Sequence, residues 1–539
     1  MEEDVLDNNT INKRKESILN GKTSLGVELG STRIKAILID ENFTSIASGE
    51  HDWENSLIDD YWTYSLEDIW TGLQDSYSNL KKDVKEKYDI NLTNIGSIGF
   101  SAMMHGYMAF NKDDELLVPF RTWRNTSTGP AAEELTSLFN YNVPQRWSIA
   151  HLYQAILNEE GHVPEINYLV TLAGYVHWKL TGRKVIGIGD GSGMFPIDYD
   201  GKQYNQTMLD KFNNLVEPKG FSWKLEEILP EILLAGDDAG HLTEEGAKLL
   251  DPDGDLQSGI PFCPPEGDAG TGMVATNSVA PKTANVSAGT SSFAMIVLEE
   301  DLENVHMEID MVTTPSGEPV AMVHVNNCTS DINAWVSLFD EALDLMGTQV
   351  DKNALFTNLF KKALEGDKDC GGLMSYGYYS GEPITYLDEG RPLFVRKPDA
   401  NFNLANFMRT HIYSAFATLR IGLDILYDEE VEISSVLGHG GIFKTKGVAQ
   451  SILAAAMKTP VSVMETAGEG GAWGIALLAN YLINKDEDET LEEYLNNSIF
   501  VNNDGFEIKP SDEDMKGFDQ FMEAYRAGIS VEQEAVKVL

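Results

Sequence analysis

The chain has 539 residues, of which 42% are hydrophobic and 23% are charged, and it carries a formal net charge of −45. The length is too great for one hydrophobic core, so the composition predicts a globular protein of two or more domains. So negative a chain repels nucleic-acid backbones and anionic lipid, which argues against nucleic-acid and membrane partners, although a nucleotide that arrives with Mg²⁺ stays compatible. Three widely spaced cysteines, a polar N-terminus and the lack of an apolar run of about 18 residues indicate a cytoplasmic protein without disulfides.

A polar leader, residues 1–23, precedes a predicted buried β-hairpin over residues 24–40. The hairpin turn offers backbone N–H groups and hydroxyls that can face an anion, but it joins strand to strand and lacks the spacing of a P-loop. Glu28 lies just before the turn, where a carboxylate can hold a Mg²⁺-bound water. The candidate phosphate-binding residues here are Gly30, Ser31, Thr32 and Arg33.

The middle of the first half contains a candidate ligand loop. Residues 52–80 are rich in Trp and Tyr and are predicted to be mostly helical, and residues 95–100 are predicted to be a short buried strand. The strand runs into a small-residue loop that contains His105, and open α/β sheets bind ligands at such strand ends. The alternative is a histidine that caps a loop carbonyl. Residues 186–193, IGIGDGSG, lack a following apolar helix and favour a loop beside a substrate over a dinucleotide site.

Residues 261–297 contain the strongest candidate for chemistry. One acid, Asp268, lies among glycines, and a second small-residue turn at residues 288–292 follows a strand's length later. This pattern indicates a base in a Gly-rich turn beside a phosphate-holding loop. Two ordinary surface turns are the alternative. The candidate phosphate-binding residues of the second turn are Gly289, Thr290 and Ser291.

The second half begins like the first. Residues 283–297 again give a strand, a Gly-Thr-Ser turn and a strand, which predicts a duplicated nucleotide-binding domain. The longest helical pattern covers residues 405–427. Two Gly-rich turns, at residues 438–441 and 468–472, would admit a flat base and a ribose close to the backbone. The acidic tail contains a predicted helix at residues 511–525.

In order and spacing, these motifs resemble the FGGY family of carbohydrate kinases, in the actin-like ATPase superfamily, over residues 25–482. Within it, MHGYMAFNKDDELLVPFRTWRNT and YYSGEPITYLDEGRP are similar to segments of xylulokinases. The resemblance implies an α/β fold of two duplicated actin-like (ribonuclease H-like) domains with a catalytic cleft between them. The implied division is a leader at 1–23, an N-terminal sugar and base domain at 24–280, a C-terminal nucleotide domain at 281–484 and an acidic extension at 485–539.

The resemblance also implies ATP- and Mg²⁺-dependent phosphorylation of a sugar hydroxyl with Asp268 as general base, most similar to the conversion of D-xylulose to D-xylulose 5-phosphate. L-Ribulokinase or another sugar or polyol kinase is the alternative in the same class, and a non-catalytic nucleotide- or sugar-sensing protein is the alternative in another. A homodimer is a possible assembly. The implied sugar-site residues are Met104, His105, Trp123, Arg124 and Asp268. The implied adenosine-site residues are Gly440, Gly441, Lys444, Gly470 and Gly471. The implied metal ligands are Glu28 and Asp268.

Overall fold

The computed structural model describes residues 8–463, 470–501 and 506–539. The strands are β1 Ser24–Leu29, β2 Arg33–Ile39, β3 Ser45–Asp52, β4 Ser56–Ile58, β5 Tyr61–Thr63, β6 Ser97–Ala102, β7 Met108–Phe110, β8 Tyr168–Val170, β9 Val185–Gly187, β10 Ile197–Asp198, β11 Gln203–Tyr204, β12 Glu231–Leu233, β13 Glu266–Gly267, β14 Thr283–Ala288, β15 Ser292–Val297, β16 Ile309–Thr313, β17 Pro319–Val325, β18 Leu373–Tyr376, β19 Leu393–Arg396, β20 Ser435–His439, β21 Val461–Val463 and β22 Phe506–Ile508. The α-helices are α1 Asn8–Leu19, α2 Leu66–Tyr88, α3 Gly129–Phe139, α4 Ser148–Leu157, α5 Leu172–Thr181, α6 Ile188–Gly191, α7 Gln206–Val216, α8 Leu225–Ile228, α9 Glu244–Leu250, α10 Asp268–Ala275, α11 Ser330–Leu345, α12 Lys352–Ala363, α13 Leu404–Asp428, α14 Val448–Met457, α15 Gly470–Asn484, α16 Leu491–Tyr494 and α17 Asp512–Val538. Short 3-10 turns lie at Val163–Glu165, Glu217–Lys219, Cys370–Gly372, Pro383–Thr385 and Gly441–Lys444, and a π turn lies at Leu495–Ile499.

The chain divides into two compact units, and neither is one continuous segment. The first comprises the described residues of Met1–Val279, Met311–Pro319 and Gly468–Asn502. The second comprises those of Ala280–Asp310, Val320–Ala467 and Asn503–Leu539. The division into functional domains at residues 24–280 and 281–484 uses continuous segments, and it stays a prediction.

The first unit is built on a five-stranded sheet in the order β13–β6–β1–β2–β3. Strands β1, β2 and β3 form an antiparallel meander, which confirms the predicted hairpin, and β6 runs parallel to β1. Because successive residues of a strand point to opposite faces, Gly26 of β1 faces helix α15, whereas Gly49 of β3 faces helix α2. Helices therefore cover both faces, which explains why β1 is almost entirely buried.

The second unit repeats this arrangement. Its strands follow the order β17–β15–β14–β20–β21–β22. Strands β14, β15 and β17 form the antiparallel meander, and β20 and β21 continue the sheet in parallel with β14. The first five strands match those of the first unit in order and direction, so the predicted duplication is confirmed.

The described parts of the leader and the tail pack into the fold. Helix α1 begins at Asn8, and its Ile18 is 3% exposed in the hydrophobic cluster under the first sheet. Helix α17 extends thirteen residues beyond the predicted end at 525, and Tyr525 is buried where its backbone oxygen accepts the Tyr376 hydroxyl at 2.8 Å. Among the described helices, none is both long and apolar enough to cross a membrane.

The structure corrects two local predictions. Residues 52–80 are helical only from Leu66 onwards, because β4 and β5 precede helix α2, whose N-terminus is capped by the Ser65 side chain and which continues to Tyr88. Aromatic side chains favour strands as well as buried helix faces, so their density did not decide between the two. Residues 186–193 are not the predicted loop. They end β9 and form the short helix α6, and all of them are buried.

The tight contact between β1 and α15 makes a testable prediction about stability. A Cβ at Gly26 would lie 2.0 Å from the Ala472 backbone oxygen and 2.6 Å from the Ala476 nitrogen. Because backbone atoms cannot move aside independently, we expect Gly26→Ala to lower the free energy of unfolding by about 3 kcal/mol or more. Denaturant unfolding measures this. The control is Gly161→Ala, which meets open space and should change stability by less than about 0.5 kcal/mol. Equal effects of the two substitutions would contradict the packing.

Candidate active site

Asp268 is the first residue of helix α10, not part of a turn as predicted. Gly267 precedes it as the extended N-cap residue (φ −80°, ψ 157°), at the end of strand β13. One carboxylate oxygen, Oδ1, accepts the backbone N–H groups of Met104 at 3.1 Å and Ala269 at 3.0 Å. The structure thus joins the predicted base to the predicted sugar loop. Asp268 as a whole residue is exposed.

The electrostatics of Asp268 are coupled to those of Glu28 on β1. Desolvation by the surrounding protein raises the pKa of Asp268, and the backbone N–H groups that it accepts act in the opposite direction. Burial, and then the charge of Asp268, raise the pKa of Glu28 to about 7, against the lowering effects of the Ala472 N–H and Lys35. Two neighbouring acids therefore share one region with little positive charge.

This pair of acids fits a Mg²⁺ ion. Within the described ranges, no group of three or more His, Cys, Asp or Glu side chains is arranged to hold a metal ion by itself. Mg²⁺ is, however, commonly bound by one or two carboxylates together with water and substrate phosphates. Glu28 and Asp268, whose mutual repulsion raises the pKa of Glu28, are a donor set of that kind.

His105 is buried and held as a neutral ring. Its backbone is left-handed (φ 67°), and its Nδ1–H donates to the Gly193 oxygen at 3.2 Å. Burial, followed by the nearby charge of Arg146, lowers the pKa of His105 to about 3, although the bond to Gly193 acts in the opposite direction. His105 thus caps a loop carbonyl through Nδ1, which is the alternative predicted from the sequence. Because the ring is neutral with Nδ1 protonated, Nε2 is a hydrogen-bond acceptor.

Trp123 and Arg124 lie on the sugar-site loop with different partners. Trp123 is 40% exposed, and its Nε1–H donates to the Ser31 hydroxyl at 3.2 Å, so it touches the first predicted phosphate turn. The Arg124 guanidinium stacks on Trp62 at 4.0 Å and donates to Asn55 at 2.9 Å. The structure brings Trp123 to the turn and holds Arg124 against an aromatic ring.

The first phosphate turn has all three of its carbonyls occupied. The Gly30 oxygen accepts Trp53 Nε1–H at 2.7 Å, and the Ser31 oxygen accepts the Tyr64 hydroxyl at 2.6 Å. The Thr32 oxygen accepts the Trp53 backbone N–H at 3.1 Å. In a trans peptide the N–H points opposite to the C=O. These bonds therefore aim the N–H groups of Ser31 and Thr32 away from Trp53 and Tyr64.

Arg33 is turned away from this function. Its Nε donates to Asp52 at 2.9 Å and its Nη1 to Glu50 at 2.9 Å, both on the neighbouring strand β3. These two acids raise the pKa of the exposed guanidinium and compensate its charge. The structure does not bring Arg33 to the turn, because the cross-strand acids are the nearer partners.

The carbonyls of the second phosphate turn also accept hydrogen bonds, but from other kinds of donor. Its Gly289 oxygen accepts both the backbone N–H of Thr329 at 3.1 Å and the Thr329 hydroxyl at 2.7 Å. The Thr290 oxygen accepts the Cys328 N–H at 2.9 Å. The N–H groups of Thr290 and Ser291 are thereby fixed on the opposite side of their peptide planes.

Three of the predicted adenosine-site residues lie together in the second unit. Gly440 has a left-handed backbone (φ 108°), and a Cβ there would lie 2.3 Å from the Ala288 oxygen, so only glycine fits. Gly441 faces open space, and Lys444 is exposed at the end of the same short 3-10 turn. The backbone at Gly441 is therefore accessible, with few side-chain atoms near it.

Of the other two predicted adenosine residues, Gly470 and Gly471, packing explains Gly471. They begin helix α15 in the first unit, and a Cβ at Gly471 would lie 2.3 Å from Glu28 Oε1 and 2.8 Å from Thr271 Oγ1. Glycine is therefore needed for the helix to reach Glu28. Residues 468 and 469 of the same predicted turn lie outside the described residues.

Two buried acids near the base were missed by sequence reasoning. Glu266 and Asp190 are each 1% exposed, and Glu266 accepts the backbone N–H groups of Asp190 at 2.9 Å and Gly189 at 3.3 Å. Asp190 Oδ2 accepts the Thr171 hydroxyl at 2.6 Å. Burial is the main cause that raises the pKa of Glu266 to about 8 and that of Asp190 to about 7. An acid flanked by glycines or prolines was the only available signal, and it indicated turns.

Comparison with solved structures defines the class of the fold. The chain superimposes on xylulose kinase from Lactobacillus acidophilus with a TM-score of 0.76 at 16% identity, covering 95% of this chain and 99% of that one. Xylulose kinase from Rhodospirillum rubrum gives 0.76 at 16% identity, with 94% and 98% covered. Plasmodium falciparum glycerol kinase with ADP gives 0.75 at 15% identity, with 95% and 98% covered. The fold is the two-domain, actin-like fold of these kinases.

The sequence matches place the chain within one family of that class. Residues 23–274 match the N-terminal domain and residues 284–483 the C-terminal domain of the FGGY family of carbohydrate kinases, so the chain belongs to this family. It is an ATP-dependent sugar kinase. Curated relatives include the xylulose kinase of Haemophilus influenzae, 21% identical over 481 residues that cover 87% of this chain and 92% of that one. The xylulose kinase of Staphylococcus xylosus is 20% identical over 472 residues, covering 84% and 90%.

Asp190 makes a testable prediction about the pH dependence of stability. Because its folded pKa lies above the unfolded value, its stabilising contribution is present at low pH and is lost as the pH rises from 3.8 to about 7. Asp190→Asn keeps an oxygen for the Thr171 hydroxyl but removes the ionisation. We expect the free energy of unfolding of the variant to fall less steeply than that of wild type over this window, as measured by denaturant unfolding at a series of pH values. Asp113→Asn, at an exposed position, is the control, and parallel curves for the Asp190 variant and wild type would refute the assignment.

Proposed function

We propose that this carbohydrate kinase phosphorylates D-xylulose to D-xylulose 5-phosphate. The observation that carries the proposal is the 3.1 Å bond from the Met104 backbone N–H to Asp268 Oδ1, which joins the Met-His-Gly loop to the base. The names of the curated relatives, at 21% and 20% identity, support the choice of sugar. In this proposal Met104, His105, Trp123 and Arg124 line the sugar site.

The proposed chemistry is a direct transfer of the γ-phosphoryl group. Asp268 accepts the proton of the attacking sugar hydroxyl, while its Oδ1 stays fixed by two N–H groups and its other oxygen faces the sugar. Phosphoryl transfer needs positioning and charge stabilisation more than covalent help, so a rigidly held carboxylate suits the step. His105 stays neutral and accepts a sugar hydroxyl at Nε2.

The proposed nucleotide-binding groups are mainly backbone N–H groups. In the first unit, those fixed in the turn at residues 30–32 bind phosphate oxygens. In the second unit, those fixed in the turn at residues 289–291 bind phosphate oxygens, and the backbone at Gly440 and Gly441 with Lys444 binds the adenosine. Glu28 and Asp268 would hold Mg²⁺, which when bound neutralises phosphate charge. Arg33 is left out because two acids already hold it, and Gly471 is left out because it packs on Glu28 and Thr271.

The choice of sugar is tested with a panel of substrates. We expect D-xylulose to give the highest kcat/KM among xylulose, ribulose, fuculose and glycerol in a coupled ADP-release assay. A higher value with ribulose or a polyol would transfer the assignment to that kinase within the family. No sugar-stimulated turnover with any compound would instead favour a sensing protein.

The role of Asp268 is tested by Asp268→Asn, which preserves shape but cannot take a proton. We expect kcat to fall by about 10³-fold, within the range of general-base contributions, while ATP affinity is retained. Because the pKa of Asp268 is raised, the wild-type kcat/KM should fall on the acid side at a higher pH than an ordinary aspartate would give. Glu244→Gln, an exposed acid in the first turn of α9, should leave kcat unchanged. Turnover near the wild-type rate in the Asp268 variant would exclude it as the base.

A further inference from the structure

We propose that Glu382, which no motif assigns to the site, is a positioning residue for ATP: it holds the segment that fixes the second phosphate turn. The inference rests on the proposed function of residues 289–291 as a phosphate turn. It concerns only residues of the second unit. It gives a role to the YYSGEP run, which the proposed chemistry leaves unused.

Glu382 is a buried acid with several donors on one oxygen. Its side chain is 0% exposed. Oε2 accepts the backbone N–H of Asn326 at 3.0 Å, the backbone N–H of Asn327 at 3.3 Å and the Asn327 side-chain amide at 3.1 Å. These two asparagines directly follow strand β17, so the acid fixes the chain where it leaves the sheet.

The next two residues are those that cap the turn. Cys328 donates its N–H to the Thr290 oxygen, and Thr329 donates its N–H and hydroxyl to the Gly289 oxygen. One short segment, residues 326–329, therefore connects the carboxylate to the turn. A shift of this segment would rotate the two capped peptide planes, and with them the N–H groups that face the phosphates.

Asn327 closes the arrangement into a ring. Its Oδ1 accepts the backbone N–H groups of Tyr379 at 2.8 Å and Ser380 at 3.0 Å, in the loop that carries Glu382. The side chain of Asn327 therefore fixes this loop relative to the segment at residues 326–329. Removal of the acid would take the acceptor from the backbone N–H groups of Asn326 and Asn327, whereas the Asn327 side-chain amide would keep the Ser380 oxygen at 3.2 Å.

The buried Glu382 carboxyl lowers the stability of the fold. Burial raises the pKa of Glu382 to about 7, although the donors of Asn327 and Asn326 and the backbone N–H of Ile384 act in the opposite direction. Burial of a carboxyl costs stability, so its presence behind a ligand-binding turn suits a functional constraint. Glu532, in helix α17, offers a matched comparison, because it is also 0% exposed, but among the described residues it accepts a single donor, the Arg391 N–H.

The test compares the two buried acids. We expect Glu382→Ala to raise the KM for ATP by about tenfold, the loss expected for hydrogen bonds to a charged group, with the KM for the sugar unchanged within about twofold. Glu382→Gln keeps an acceptor oxygen and should restore the KM for ATP to within about threefold of wild type. Glu532→Ala should leave the KM for ATP within about twofold of wild type, whatever its effect on the melting temperature.

The outcomes separate this proposal from the proposed function. Equal effects of Glu382→Ala and Glu532→Ala on the KM for ATP, or an equal rise in the KM for the sugar, would overturn it. If Glu382→Ala does not fold, Thr329→Val, which removes the hydroxyl given to Gly289, should raise the KM for ATP, and an unchanged value would overturn the proposal. If wild type turns over no sugar, ATP titration by calorimetry still tests Glu382, and the failure then belongs to the choice of substrate.

Discussion

The close approach of helix α15 to strand β1 is the constraint on which the base region depends. A Cβ at Gly26 would lie 2.0 Å from the Ala472 backbone oxygen, and a Cβ at Gly471 would lie 2.3 Å from the Glu28 carboxylate. Only glycines allow this contact. Because the helix excludes water from Glu28, it raises the pKa of that acid to about 7 and leaves its charge to interact with Asp268. A residue more than 400 positions away in sequence thus sets the chemistry of the first strand.

Local signals made part of this structure predictable. Both hairpins follow from apolar runs joined by Gly-Ser-Thr or Gly-Thr-Ser turns, and an acid among glycines marked Asp268. The rest depends on distant partners. Glu266 and Asp190 are buried against each other across 76 positions, and glycines beside them indicated turns. Arg33 was expected at the phosphates because it follows the turn, but strand pairing puts it opposite Asp52. A pattern in a single sequence does not show which residues of two neighbouring strands lie opposite each other.

The two phosphate turns show what the duplication preserves. In the first, aromatic side chains supply two of the three donors that fix the turn carbonyls. In the second, a following segment supplies backbone N–H groups and one threonine hydroxyl. The side chains differ, but the consequence is the same, since each bond fixes a carbonyl on one side and an N–H on the other. The direction of the N–H groups, rather than residue identity, is the shared feature.

Neutral His105 also determines what a pH profile of this kinase can report. Burial lowers its pKa to about 3, so the ring neither gains nor loses a proton near neutral pH. The carboxyls around the base behave oppositely: burial raises their pKa, and Glu28, Asp190 and Glu266 reach about 7, 7 and 8. A change of activity between weakly acidic and neutral pH therefore reports carboxyls, although a histidine lies in the sugar loop. Because these acids interact, their protons leave as a coupled set. Substitution of Asp268 thus alters the ionisation of Glu28 as well as removing the base.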